Sequence, residues 1–169
     1  MPTLIATVGA NNANSYCTLA EAQAYHDVHL YASAWTDAED DNKIIALIWA
    51  TRTLDEMCEW AGDKVTQGQA LRFPRYNVYD QDGFIFIHTA IPQWLKNATA
   101  ELARHLLTKD RLQSMEDAIT GLKSVTAGPV SVDFDSMDRI TVFPQSVQQI
   151  ISPYITNSTG GFQIPLVRV

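Results

Sequence analysis

The sequence predicts a mainly α protein: a small helical bundle with a β-hairpin and an extended C-terminal arm. Three observations predict it. Three segments carry apolar residues at helical spacing, centred on Ala22, Leu47 and Ala98. Two period-two stretches flank Ala127-Gly128-Pro129. A Gly160-Gly161 pair is followed by the apolar end Phe162-Gln163-Ile164-Pro165-Leu166-Val167-Arg168-Val169.

Residues 1–16 read as an extended lead-in with a turn-prone stretch at Ala10–Asn14. Thr18-Leu19-Ala20-Glu21 matches a capping box, with Thr18 as N-cap and Glu21 at N3, so a first helix should run to about Leu30. Thr36-Asp37-Ala38-Glu39 has the same form and should open a second helix, ending near Trp60 before Gly62. Its apolar face is Ile44, Ile45, Leu47, Ile48, Ala50, Thr51, Leu54, Met57 and Cys58, and it is expected to centre the core. Residues 62–91 form a long connection punctuated by Gly62, Gly68, Pro74 and Gly83, with a short strand expected at Phe84–Ile87. Pro92 suits N1 of a third helix, with Trp94, Leu95, Ala98, Leu102, His105 and Leu106 as its stripe and its end near Asp110. Leu122–Thr126 and Val130–Phe134 alternate and read as a hairpin, which needs something to pack on. A short helix is expected at Gln145–Ile151. Residues 1–155 would form the domain, with the hairpin at about 119–135, and residues 156–169 the arm. Fully extended, that arm spans roughly 45 Å at about 3.3 Å per residue.

Charge narrows the function. The net charge is −7. Residues 1–60 hold nine acids against Lys43 and Arg52, whereas residues 61–169 hold ten of each sign. Such a surface disfavours tight non-specific DNA binding. No apolar run approaches the ~18 residues of a membrane span, and the N-terminus lacks the basic and apolar regions of a signal peptide. A chain without membrane contact, acting inside the cell, is the expectation. Cys17 and Cys58 lie outside any Cys-x-x-Cys motif and read as buried thiols, with a disulfide left open.

Motifs for catalysis are missing. His26 and His29 share a helix face, but no further ligands accompany them, so no metal and no cofactor is expected. Cys58 with His88 or His105 has no supporting motif, and Gly-x-Ser-x-Gly, the P-loop and the dinucleotide glycine fingerprint are absent. The one notable cluster is Arg72, Phe73, Arg75, Tyr76 and Tyr79. Arginine beside aromatics suits single-strand stacking. It equally suits an interface or a loop pinned to the core, which the acidic balance favours.

Several short motifs occur in order. They are Asn14-Ser15-Tyr16 with Leu19-Ala20-Glu21-Ala22, then Gly68-Gln69-Ala70-Leu71-Arg72-Phe73-Pro74-Arg75. Ile91-Pro92-Gln93-Trp94-Leu95-Lys96-Asn97-Ala98-Thr99-Ala100-Glu101-Leu102-Ala103 and Val125-Thr126-Ala127-Gly128-Pro129-Val130-Ser131-Val132 follow. Over roughly residues 12–155 this set resembles the tailed-bacteriophage head–tail adaptor (connector) proteins, some of which carry the label of DnaT-like single-stranded DNA-binding proteins. The resemblance implies a non-enzymatic virion protein of the phage neck, assembled in the host cytoplasm. It implies a ring of usually twelve copies beneath the portal protein, meeting tail or tail-completion proteins, with genomic DNA passing transiently through its lumen. The expected contact residues are Arg72, Phe73, Arg75 and Tyr76 of the loop, Val130, Val132 and Phe134 of the hairpin, and Phe162, Ile164, Leu166 and Val167 of the arm. The alternative expectation is single-stranded DNA binding by the arginine–aromatic cluster.

Overall fold

The computed structural model describes residues 2–109, 124–127, 130–133 and 143–158. It is mainly α, as the periodicities predict, with five helices and three two-stranded pairings among the described residues.

Helix α1 (Leu19–Asp27) starts with the predicted box. The Glu21 amide donates to the Thr18 hydroxyl at 3.2 Å, and the Thr18 amide donates to the Glu21 carboxylate at 2.8 Å. It stops three residues earlier than expected. The amides of Val28 and His29 both turn back onto the His26 carbonyl, which tightens the last turn and ends the helix.

The second predicted box does not form. Thr36 is instead the last residue of a one-turn helix, α2 (Ser33–Thr36), and its hydroxyl donates to the Ala32 carbonyl. The turn drives Trp35 fully into the core, where its indole N–H reaches Gln23 at 3.1 Å. Burial of a large aromatic therefore overrides local capping chemistry. The long helix α3 (Asp40–Met57) begins after it, with an extended Glu39 as N-cap and Asp40 and Asp41 in the first turn. Its buried face is Ala46, Leu47, Ala50, Thr51 and Leu54, while Ile45 stands 44% exposed.

α3 ends at Met57, short of the expected Trp60, because Cys58–Trp60 become strand β1. Beyond Gly62 come two short strands, β2 (Asp63–Lys64) and β3 (Arg75–Tyr76), which pair antiparallel. Pro92 is the N-cap of α4 (Gln93–Leu106) rather than its first residue. This helix, not α3, is the centre of the bundle, since α1, α2, α3 and a C-terminal helix all pack on it. Ala98, Ala100 and Ala103 let those neighbours approach closely, and Leu95 and Leu102 fill the space between them.

Strands β4 (Ser124–Ala127) and β5 (Val130–Asp133) form the predicted hairpin, with Val125 opposite Val132 and Ala127 opposite Val130. The C-terminal helix α5 (Gln145–Ile151) lies where the sequence placed it and buries Val147 and Ile151. A 3-10 turn at Ser152–Tyr154 then leads into β6 (Ile155–Ser158). β6 pairs antiparallel with β1, with Cys58 opposite Ser158 and Trp60 opposite Ile155. Residues 156–158, expected in the arm, are thus stitched to the end of α3. The rest of the expected arm, including Phe162, Ile164, Leu166 and Val167, lies outside the described residues, as does Phe134.

Candidate nucleic-acid interface

The connection from β1 to β3 is built around one carboxylate. Asp55, on the last turns of α3, accepts the Tyr16 hydroxyl on one oxygen and the Arg72 amide on the other at 3.0 Å. The Phe73 amide in turn donates to the Tyr16 hydroxyl at 3.4 Å. Burial pushes the Asp55 carboxyl above its ordinary range, against the lowering effect of these donors. Burial likewise raises Tyr16 well above the usual phenol value, reinforced by the Asp55 charge. Gln69 is a second pin. Its side-chain oxygen accepts the Thr66 amide, and its nitrogen donates to the carbonyls of Leu71 and Pro74 at 2.9 and 3.0 Å. Two of the recognised motifs, Asn14–Tyr16 and Gly68–Arg75, therefore meet at Asp55.

The arginines of the predicted cluster serve this loop. Arg75 donates to the carbonyls of Ala61 at 2.8 Å, of Gly62, and of Arg72 at 3.4 Å. Burial lowers its guanidinium from the ordinary value. Gly62 permits the approach: its φ is +75°, and a Cβ there would meet the Tyr76 carbonyl oxygen at 2.0 Å. Arg72 reaches the Cys58 carbonyl at 3.4 Å. Phe73 is 2% exposed and packs edge-on against Tyr16, Trp60 and Trp94, so it faces the core rather than a partner. Of the four loop residues expected to make contacts, only Tyr76 is exposed, with its ring 4.5 Å from that of His88. Val130 and Val132 sit at alternate positions on β5 of the hairpin.

The exposed aromatics lie further on. Phe84–Ile87 is not a strand, because the chain turns tightly at Gly83, with φ +88°. The Asp80 carboxylate accepts the amides of Asp82 and Phe84 at 3.0 and 2.7 Å, and one bridge joins Tyr79 to Ile85. Val78 and Phe86 point inward, Phe86 packing on Trp94 and Tyr154. Tyr79, Phe84, Ile85 and Ile87 are left in solvent, Phe84 at 71%. The cue for this presentation was already in the sequence: an Asp-x-x-Gly turn between alternating aromatics.

Cations available to phosphate are few. Lys43, Arg52, Lys96 and Arg104 each pair with a carboxylate, and Arg72 and Arg75 bond to carbonyls. Lys64 is exposed but donates to the Gln69 carbonyl at 3.4 Å, which leaves Lys109 as the exposed exception among the described residues. Burial pushes the thiols of Cys17 and Cys58 up to about 12, so both stay protonated and poorly nucleophilic. Among the described residues no group of three His, Cys, Asp or Glu side chains is arranged to hold a metal, and no helix is long and apolar enough to cross a membrane.

A small helical scaffold presenting a fixed aromatic loop is the class of protein that the described residues define. Comparison with protein families places it further. The family described as "Putative DnaT-like ssDNA binding protein" matches residues 3–169, and the chain belongs to that family. No curated protein and no solved structure matches it.

Proposed function

We propose that this protein binds single-stranded DNA by stacking bases on its exposed aromatic loop, without catalysing a reaction. The family match over residues 3–169 carries the reading. The geometry supports one version of it. Tyr76, Tyr79, Phe84 and His88 offer ring faces on a loop held by Asp80, whereas Arg72 and Arg75 are committed to backbone carbonyls. Base stacking is sequence-tolerant and needs few phosphate contacts.

The test is titration of a labelled oligonucleotide at several salt concentrations. A shallow slope is expected, near that of one or two phosphate contacts at about −0.7 each. Tyr79→Ala with Phe84→Ala should weaken binding about tenfold or more, on the scale of ~1–3 kcal/mol per stacked base. No binding at any salt would sink this reading.

A second reading keeps a specific observation in its favour. The −7 charge, the scarcity of free cations among the described residues and the exposed apolar loop suit a structural adaptor of the phage neck. Such a protein would ring the DNA path between portal and tail without gripping the DNA, closing by heterologous contacts. Quantitative mass spectrometry of purified virus particles separates the two. About a dozen copies per particle is the adaptor's expected result, and absence from particles removes it.

A further inference from the structure

His26 lies on the last turn of α1 and is 3% exposed. Its ring packs at a tilt against Trp35 of α2, with centroids 4.6 Å apart and planes at 34°. Its Nε2 sits 3.1 Å from the Ala100 carbonyl of α4. A carbonyl only accepts, so Nε2 carries the proton of the neutral ring. The other nitrogen, Nδ1, is buried and has no partner among the described residues. A second proton would have to go there, onto a buried nitrogen that no acceptor of the described residues faces.

We propose that His26 is an acid-sensitive latch that holds the α1–α2 segment, residues 19–36, against α4. Neutral, it joins three helices through one ring contact and one hydrogen bond. Charged, it must leave the site to be solvated, and Trp35 loses the ring that covers it. The neighbouring charges do not rescue the cation. Tyr25 and His29 flank it on its own element, with ring centroids 5.0 and 6.4 Å away. From α4, Glu101 attracts a charged ring but Arg104 repels it. From α3, the Lys43 ammonium lies 5.9 Å from the same Trp35 ring. Burial prevails and lowers the His26 value from the ordinary one.

The sign follows from linkage. A histidine whose folded value is depressed contributes its full stabilisation above the ordinary imidazole value of about 6.5. That contribution is lost as pH falls from there through the lowered value, because the open segment binds the proton more readily.

Amide hydrogen exchange on the full chain between pH 8 and pH 5 tests it, with protection factors corrected for the intrinsic rate. Protection of residues 19–36 should fall by up to about tenfold per pH unit below the ordinary value, while the centre of α3 stays protected. His26→Gln retains a donor for Ala100 and should flatten the response. His29→Gln should retain the response, its midpoint raised slightly by removal of a neighbouring positive charge. A wild-type response that is flat, or one that persists in His26→Gln, overturns the latch. Should His26→Gln fail to fold, the wild-type ring titration followed by NMR decides alone. A midpoint below the ordinary value supports the proposal, and one at or above it refutes it.

Discussion

Asp55→Ala is expected to remove about 3 kcal/mol of folding stability, within the ~1–3 kcal/mol that each stranded buried group costs. At roughly 2–4 °C per kcal/mol for a chain of this size, the melting point should drop by about 6–12 °C. The substitution strands the Tyr16 hydroxyl and the Arg72 amide together, and the Phe73 amide loses the fixed position of its acceptor. The loss should be local as well as global. Phe73 anchors an aromatic cluster with Tyr16, Trp60 and Trp94, and Trp94 stacks on Tyr154 at 4.0 Å just before β6. Loosening the loop should therefore alter tryptophan fluorescence and expose amides of the 66–75 loop before the whole chain unfolds. A variant as stable as the wild type would mean that Gln69 and Arg75 alone hold the loop.

Glu101→Gln is the second large effect, about 2–4 kcal/mol at neutral pH. Glu101 is 2% exposed on α4. Its carboxylate meets Arg104 at 2.5 Å, His105 at 3.4 Å and His29 at 4.0 Å. Arg104 also donates to the Tyr31 carbonyl, so the acid indirectly fixes the loop after α1. Burial by itself would raise the Glu101 carboxyl. The hydrogen bonds from His105, Arg104 and Ser146 outweigh it and hold the group far below the ordinary carboxylate range. A depressed acid contributes fully above its unfolded value, here about 4.3, and loses that contribution as pH falls toward the folded one. The gap between wild type and variant in denaturant midpoint should thus be full at pH 7 and narrow steadily below about pH 4. A gap that is constant with pH would show that shape, not charge, matters at this site.

The limits of the sequence reading have identifiable causes. Where an element depends on neighbours in the chain, the residues declared it. Thr18 and Glu21 cap α1 as their spacing requires, and Gln145–Ile151 is helical where its pattern places it. The hairpin follows from alternation around Ala127-Gly128-Pro129. Where an element depends on distant partners, local signals misled. Thr36 resembles an N-cap but closes α2, because burying Trp35 stabilises more than a cap does. Residues 58–60 carry a helical period yet are a strand, because β6 arrives from nearly a hundred residues away to pair with them.

The candidate site divides in the same way. The sequence alone showed arginines and aromatics concentrated between residues 72 and 79, and an acidic balance that disfavours tight non-specific DNA binding. It could not show which of those side chains face water. An arginine reads identically whether its fork meets phosphate or three carbonyls of its own chain, and only the fold around Gly62 and Asp55 decided that Arg75 does the latter. The same fold moved the exposed aromatic surface onward to Tyr79 and Phe84. Composition and periodicity act through nearest neighbours and so survive in the sequence. The direction a side chain faces is set by long-range packing and hydrogen bonding, which exist only once the chain has closed on itself.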